Sequence, residues 1–343
     1  MPFNNIIGRA DVSDAHLPDQ VSKEILAEAP KDSIMLTNAR RVPMSSAKSK
    51  QPVLASLPDA YWVNGDTGLK QTSGATWNGI TMTAEELAVI VPIPDALIAD
   101  AQVPLWDEIK PLVAEAFGQK IDEATLFGVD KPDSWPDDVF TAATAAGNTV
   151  TAGTGADLGV DVANLAGLVS KQGYNINGFV SEPGLGWELI GQRSANGSAI
   201  YGPSHALGQP DTLYGKPINE DQTGGFDGEK AKLMALDWGK FVVGIRQDIT
   251  YDLFSEGVIS DAEGKVVLNL MQQDSKALRV VMRVGWQCAA PVTRVGRKKD
   301  RVYPAGLLLR LVVRGKPRPR STAAPQGAAP GYGAASANNH VGR

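Results

Sequence analysis

The feature that most constrains this chain is one long amphipathic segment, residues 105–128, with the sequence LWDEIKPLVAEAFGQKIDEATLFG. Its apolar residues recur at spacings of three and four, which predicts a helix with one buried face. The members of this stripe are Ile109, Leu112, Val113, Ala116, Phe117, Ile121 and Ala124. Pro104 precedes the segment, Gly128 follows it, and two acids, Asp107 and Glu108, occupy the first turn, where the helix dipole favours negative charge. A helix of this length spans roughly 30 Å and could form the spine of a flat domain.

Strands are predicted on both sides of this helix. Residues 46–80 have the pattern of a long hairpin, and residues 80–94 that of a strand that ends at two prolines before a short helix at 95–101. After the helix, segments of helical and strand character alternate up to about residue 237, which is typical of a mixed α/β unit. From Ala235 onward the pattern predicts an antiparallel sheet with Val280, Met282 and Val284 on one face.

The charge is distributed unevenly along the chain. The 343 residues carry a net charge of −5, but residues 294–343 contain eleven Lys and Arg against one Asp, so this part carries +10 and the rest −15. An acidic body with a basic end is not the pattern of a protein that grips nucleic acid with its whole surface. The 43% of hydrophobic residues is ample for a sizeable core.

Secretion and membrane insertion are not expected. The first residues, MPFNNIIGRADVSD, are polar and lack the apolar segment of a secretory leader. The apolar run at 307–313 is interrupted by Arg310 and is too short to span a bilayer.

Four residues of the predicted hairpin are candidates for contacts between subunits: Tyr61, Trp62, Lys70 and Trp77. A two-stranded hairpin that projects from a domain is only marginally stable in water, and its aromatic side chains would be exposed unless a neighbouring subunit covered them. The alternative is that the hairpin folds back and its aromatic residues belong to the core of their own domain.

The sequence does not have the residue patterns of an enzyme. Its three histidines, His16, His205 and His340, are widely separated and match neither a His-pair metal motif nor a Ser-His-Asp set. The single Cys288 excludes an internal disulfide and a cysteine-cluster metal site, and its place in a predicted strand favours a buried structural thiol. No catalytic residue, cofactor or metal is therefore expected.

Two short motifs invite a ligand-binding interpretation, and both are more simply loops. Gly153, Gly155 and Gly159 resemble a phosphate-binding loop, but the third glycine comes one residue late for a nucleotide fingerprint. The loop at 129–140 contains four aspartates, yet their spacing does not match a calcium loop and no Glu closes it. These aspartates are Asp130, Asp133, Asp137 and Asp138.

The order of these elements, together with several local motifs, resembles the major capsid proteins of tailed bacteriophages, with the Hong Kong 97-type fold. The resemblance lies in AYWVNGDTGLKQTS, in ITMTAEELAVIVPIP leading to the long helix, in NGFVSEPGLGWELIGQRSANGSAIY, in the turn LYGKPI, and in LDWGKFVVGIRQDITYDL followed by ALRVVMRVGWQCAAPV. Each motif is weak alone, and their common order makes the set specific.

The resemblance implies an α+β chain divided into the regions that this fold family has. They are an N-terminal arm (1–45), an extended hairpin loop (46–80), a peripheral domain (81–140) with its spine helix at 105–127, an axial domain (141–237) and return strands (238–296). The composition of residues 297–343 predicts a basic, disordered tail. The family often ends soon after the strand equivalent to 279–292, so the resemblance does not cover this tail. Electrostatic contact of the tail with DNA is one hypothesis for it.

The resemblance also implies a function and partners. Such proteins form hexamers and pentamers that close into an icosahedral shell around double-stranded DNA, in a virion assembled in the bacterial cytoplasm. A separate scaffolding protein and a portal are expected, because no long scaffolding segment precedes the arm. The alternative with the same fold is an encapsulin-like compartment that encloses cargo enzymes. A tail or other accessory structural protein ranks last, because it would lack the spine helix and projecting loop together.

Part of this family forms an isopeptide bond between a lysine in this loop and an asparagine of a neighbour. Lys70 lies in the corresponding loop, but the reaction needs a desolvated, deprotonated amine. A salt bridge across the subunit boundary is therefore the preferred interpretation of Lys70.

Overall fold

The computed structural model describes residues 33–63, 69–101, 104–191, 212–295 and 302–311. The described helices are α1 (Ile34–Asn38), α2 (Asp95–Asp100), α3 (Leu105–Phe127), α4 (Val139–Ala145), α5 (Leu158–Lys171) and α6 (Leu185–Gly191). The described strands are β1 (Arg40–Pro43), β2 (Lys48–Ser56), β3 (Thr76–Thr83), β4 (Glu85–Pro94), β5 (Thr149–Thr151), β6 (Gly178–Ser181), β7 (Thr212–Leu213), β8 (Lys216–Glu220), β9 (Ala231–Leu236), β10 (Phe241–Phe254), β11 (Val258–Ser260), β12 (Val266–Asn269), β13 (Ser275–Cys288) and β14 (Ala305–Leu309).

The long helix α3 confirms the prediction from periodicity and end signals. It begins after Pro104 and ends at Gly128, whose φ of 70° is a left-handed conformation that glycine adopts without strain. The buried side differs from the predicted stripe, since Leu112 and Ala116 are exposed. Burial is concentrated from Val113 to Phe127, because α1, α4 and strand β13 contact the helix there.

The described strands form two large sheets and two two-stranded sheets, β2-β3 and β11-β12. A four-stranded sheet has the order β1-β10-β13-β4, in which β1 and β10 are parallel and the other pairs antiparallel. A six-stranded sheet has the order β5-β14-β9-β6-β8-β7. The chain passes from the six-stranded sheet to the four-stranded one through a single turn of 3₁₀ helix at Trp238–Lys240. The segment 235–246 has the pattern of one continuous strand. In the fold it is divided between β9 and β10.

The six-stranded sheet is buried on both faces. Along β9, Leu233 and Ala235 pack with α5 and α6, whereas Met234 and Leu236 point into the cluster that contains α3 and the four-stranded sheet. A strand buried on both faces consists of consecutive apolar residues instead of alternating ones. This explains why AKLMAL and AGLLL carry so few polar positions.

The last described strand corrects the predicted tail. Residues 297–343 were expected to form a disordered extension, but β14 lies inside the six-stranded sheet, parallel to β5 and antiparallel to β9. Leu307 and Leu308 are fully buried, one in each of the two large hydrophobic clusters. The basic residues that flank this strand concealed it in the sequence, because they gave the whole segment the composition of a tail.

Candidate functional site

The predicted hairpin is present as β2 and β3, which pair antiparallel from Lys48 with Thr83 to Ser56 with Thr76. At the far end of this ladder the Oγ of Ser56 and the Oγ1 of Thr76 are 2.7 Å apart, and the amide of Thr76 donates to the same Oγ of Ser56 over 3.0 Å. A register shift between Leu54 and Ser56 produces this close approach. The two strands are thus linked to each other up to the point where the loop begins.

The loop beyond the strands is held across its width by two hydrogen bonds. The amide of Asp59 donates to the Oγ of Ser73 over 2.8 Å, and the hydroxyl of Tyr61 donates to the carbonyl oxygen of Gln71 over 2.8 Å. The loop therefore presents its outgoing and returning segments side by side. Residues 64–68, where the predicted turn falls, lie outside the described residues.

The aromatic residues of the hairpin face solvent in the isolated subunit. Trp62 is 97% exposed, Trp77 65% and Tyr61 42%. Leu69, on the returning side, is 91% exposed and adds to the same apolar surface. These values exclude the alternative in which Trp62 and Trp77 belong to the core of their own domain. An exposed apolar surface of this kind is typical of a site for another protein.

Lys70 is exposed next to this surface. Among the residues that the structure describes, no ion pair joins it to an acid of its own subunit. The isopeptide reaction needs an amine held in a desolvated environment, and a single subunit does not provide one for Lys70.

The base of the hairpin is fixed to the four-stranded sheet. Met82 of β3 is 1% exposed and packs with Met44 and Val242. A Cβ on Gly244 would lie 2.4 Å from the Sδ of Met44 and the Cε of Met82, so a larger residue would push these two methionine side chains aside. The hairpin is thus rigidly held at its base, while its aromatic end remains uncovered.

Residues that follow β13 also support the hairpin. The amide of Val292 donates to the carbonyl oxygen of Leu54 over 3.2 Å. The guanidinium of Arg294 donates to the carbonyl oxygen of Pro58 over 3.1 Å and lies 3.9 Å from the carboxylate of Asp59. Because the Arg294 side chain is 62% exposed, this ion pair contributes little energy, and it orients the loop more than it stabilises it.

The glycine-rich segment at 153–159 is a structural loop closed by an aspartate of its own chain. Asp161 is fully buried and accepts hydrogen bonds from the amides of Gly153 (2.7 Å) and Gly155 (2.6 Å) and from the hydroxyl of Thr154 (3.1 Å). These amides are the groups that a phosphate would need. The carboxylate already occupies that position, which supports the loop interpretation over a phosphate site.

Two of the four aspartates of the loop at 129–140 have separate structural contacts. Asp138 caps α4 by accepting a hydrogen bond from the amide of Thr141 over 2.9 Å, and Asp130 lies 3.5 Å from the amine of Lys120. Within the described ranges, no group of three or more His, Cys, Asp or Glu side chains converges as a metal site would require.

The only cysteine has the properties of a structural thiol. Burial raises the pKa of the Cys288 thiol to about 12, so the thiol stays protonated at neutral pH. The thiolate is the nucleophilic form, and this group therefore does not act as one. The three histidines lie outside the described residues. None of the helices in the described part of the chain has both the length and the apolar character needed to cross a membrane.

Two contacts between α1 and α3 were not predicted from the sequence. The short helix α1 lies within the predicted arm, and its start is held by Asp122 of α3, which the sequence presents as an ordinary acid on a helix. One signal was available: Gly118 and Asp122 lie one turn apart on α3, and a small residue beside a buried acid marks a place where another segment approaches closely. A Cβ on Gly118 would lie 3.2 Å from the Cβ of Ser33.

Comparison with known proteins identifies the family. A sequence model of the phage capsid family matches residues 15–291. The major capsid protein of Staphylococcus phage 80alpha is 25% identical over 281 residues, which cover 80% of this chain and 82% of that protein. The probable major capsid protein gp17 of Mycobacterium phage D29 is 24% identical over 287 residues, which cover 80% of this chain and 86% of that protein.

Solved structures agree with the sequence relatives. A chain from Microbacterium phage Oxtober96 superposes with a TM-score of 0.77 at 34% identity, covering 90% of this chain and all of that one. The capsid of a native GTA particle superposes with a TM-score of 0.63 at 16% identity, covering 86% of this chain and 95% of that one, and shares the fold. The chain therefore belongs to the phage capsid family and is a bacteriophage capsid protein with the Hong Kong 97-type fold.

Proposed function

We propose that this protein is a major capsid protein whose copies form the hexamers and pentamers of a closed icosahedral shell around double-stranded DNA. In this proposal a separate scaffolding protein and a portal take part in assembly, which occurs in the cytoplasm of the bacterial host. The observation that carries the proposal is the hairpin β2–β3, which is fixed at its base and exposes Trp62 almost completely at its far end.

The exposed hairpin is best explained by contact with another copy of the same chain. A single subunit leaves Trp62, Trp77 and Leu69 in water, which is unfavourable for large apolar side chains. A repeated contact of one copy with the next generates a ring when the rotation closes. The capsid of the native GTA particle, which shares the fold, was computed with C5 symmetry, in which copies are related around a fivefold ring.

The regions of the chain have corresponding roles in this proposal. The arm (1–45) and the extended loop (46–80) contact neighbouring subunits. The peripheral domain (81–140) forms the outer part of each capsomer, and the axial domain (141–237) surrounds the local symmetry axis. The strands at 238–296 return to the peripheral domain, and β14 completes the axial sheet.

The proposal predicts a specific effect of Trp62→Ala. The variant should fold normally, because the side chain makes almost no contact within its own subunit. Its shells should form poorly, because a buried aromatic at an interface often contributes more than about 2 kcal/mol of binding free energy. Negative-stain electron microscopy and light scattering of the purified full-length protein, alone and with the scaffolding protein, measure this loss.

Two further variants make the experiment decisive. Trp62→Phe keeps a large aromatic ring and should recover much of the assembly. Trp187→Ala removes an indole that is 76% exposed on α6, outside the hairpin, and measures the effect of losing an exposed tryptophan elsewhere. Normal shells from Trp62→Ala, with a circular dichroism spectrum like that of the wild type, would contradict the role of the hairpin.

The content of the shells separates the phage capsid from the encapsulin-like alternative. Particles purified from infected or induced cells are treated with nuclease and then opened. Protected double-stranded DNA is the expected content. Particles that hold a single enzyme and no DNA would indicate the compartment instead.

A further inference from the structure

Helix α1 is held on the long helix by one carboxyl group. The Oδ1 of Asp122 accepts hydrogen bonds from the hydroxyl of Ser33 (2.8 Å) and from the amide of Met35 (2.9 Å). Its Oδ2 accepts a hydrogen bond from the amide of Ile34 over 2.9 Å. Asp122 is fully buried, and Ser33 and Ile34 are also buried. Three donors from residues 33–35 thus converge on one buried side chain, at the point where the chain enters the described fold.

A second buried carboxyl group lies beside the first. Asp221, in the loop after β8, is fully buried, and its Oδ1 accepts hydrogen bonds from the amide (2.8 Å) and the hydroxyl (2.7 Å) of Thr223. Its Oδ2 has no hydrogen-bond partner among the described residues. A Cβ on Gly225 would lie 3.1 Å from the Cβ of Asp122 and 3.4 Å from this Oδ2, so the two aspartates border the same glycine.

No positive charge compensates these two carboxyl groups within the described contacts. Residues 34–38 of α1 carry no ionisable side chain. On α3, Glu123 points to the amine of Lys120, 2.7 Å away, and in the loop after β8, Asp227 pairs with Lys230. Glu220, the residue before Asp221, accepts a hydrogen bond from the amide of Gly186 over 2.7 Å. Two buried carboxylates near each other are unfavourable when no cation lies among their described contacts, and a proton on Asp122 removes one charge.

We propose that Asp122 and Asp221 act as a carboxyl pair in which Asp122 holds a proton, and that this proton strengthens the docking of residues 33–38 on α3. The carboxyl pair is a device within the subunit and does not depend on the proposed assembly. Because residues 33–38 belong to the predicted arm (1–45), the pair links the protonation of Asp122 to how firmly this part of the arm is docked on α3.

The direction of the pH dependence follows from the burial of Asp122. Desolvation, with a smaller contribution from the charge of Asp221, raises the pKa of Asp122 from its ordinary 3.8 to about 6, against the opposing effect of its three hydrogen bonds. When residues 33–38 detach, water reaches the carboxyl group and its pKa returns toward the ordinary value. The docked state binds the proton more tightly, so docking is strongest below about pH 4 and weakens as the pH rises through about 6.

Amide hydrogen exchange of the purified full-length protein tests this proposal. After correction for the intrinsic exchange rate, the amides of Ile34 and Met35 should open about tenfold more often at pH 7.5 than at pH 5. This is the ratio that the raised pKa of Asp122 gives. The amide of Thr141 is the internal control. It donates to Asp138, which has no second buried acid as a hydrogen-bond neighbour among the described residues, so its opening should not follow this dependence. Equal opening of Ile34 and Met35 at the two pH values would overturn the proposal.

Two variants identify the groups responsible. Asp221→Asn keeps the Oδ1 acceptor for Thr223 and places an NH₂ group where the Oδ2 lacks a partner, so the fold is preserved while one acid is removed. The pH dependence should become smaller in this variant, with more protection at pH 7.5, and an unchanged dependence would exclude Asp221. Asp122→Asn places an NH₂ group against an amide donor of residues 33–35, so protection there should fall at both pH values and lose its pH dependence.

Discussion

Single residues with no side chain decide how closely the elements of this fold approach one another. Gly306 of β14 faces α5, and a Cβ there would lie 2.8 Å from the Cδ1 of Leu165 and 2.9 Å from the Cγ2 of Val169. Both neighbours are fully buried and have no free space to move into. The contact between β14 and α5 therefore requires a glycine at this position.

Gly306→Ala should destabilise the protein by about 1–3 kcal/mol, because the added methyl group overfills a packed core. Gly167→Ala is the matched control, since Gly167 lies in α5 and nothing stands within 4 Å of an added Cβ. Removing a glycine from a helix interior should stabilise the protein by roughly 0.5–1 kcal/mol. Thermal or urea unfolding of the unassembled subunits measures both changes, and equal stabilities of the two variants would contradict the packing argument.

The burial of Asp122 could not be predicted from the sequence. The sequence shows an acid on the polar side of a helix, and its burial depends on Ser33, which is 89 positions away. Tyr61, Trp62 and Trp77 could be selected in advance because large aromatic residues in a projecting hairpin need a partner. Which subunit surface they contact remains a prediction, since a single subunit contains only one side of that contact.

Among the elements, those with a local signal were predictable and those defined by distant partners were not. The bounds of α3 follow from periodicity, from Pro104 and from Gly128, all within the segment itself. The strand β14 has no such signal, because a run of five apolar residues between arginines is equally compatible with a loop or a tail. Its partners β5 and β9 lie far away in the sequence, so only the folded chain identifies it.

Strand β14 predicts opposite outcomes for two truncations. A chain that ends at Leu311 keeps every described element and should remain soluble and folded. A chain that ends at Thr293 loses β14, exposes the backbone edges of β5 and β9, and leaves the apolar face of α5 uncovered. Open sheet edges promote aggregation, so the shorter chain should be insoluble. Size-exclusion chromatography and circular dichroism compare the two, and a soluble, folded chain ending at Thr293 would show that β14 is dispensable.

At the scale of the whole molecule, the projecting hairpin is the part of the subunit that we propose contacts neighbouring copies in a shell. The hairpin and the segment at 291–295 that supports it come from opposite ends of the described chain. Lys70, at the returning side of this loop, is exposed in the single subunit.

Assembled shells should dissolve completely in denaturing gels into single chains of 36.3 kDa. An isopeptide bond needs a lysine amine that is removed from water, and Lys70 is exposed in the single subunit. Lys70→Ala should give the same gel pattern as the wild type and serves as the control. A ladder of boiling-resistant multimers that disappears in Lys70→Ala would show instead that the neighbouring subunit creates a reactive site.

The position of β14 also determines when a newly made chain can finish folding. This strand is the last described element in the sequence, yet it lies between β5 and β9, and β5 pairs with no other described strand. The six-stranded sheet therefore stays open during synthesis until Leu309 has been added and has reached its neighbours. Chains whose translation stops before Leu309 lack the strand that closes the sheet, so the architecture couples completion of this sheet to synthesis of the chain through β14.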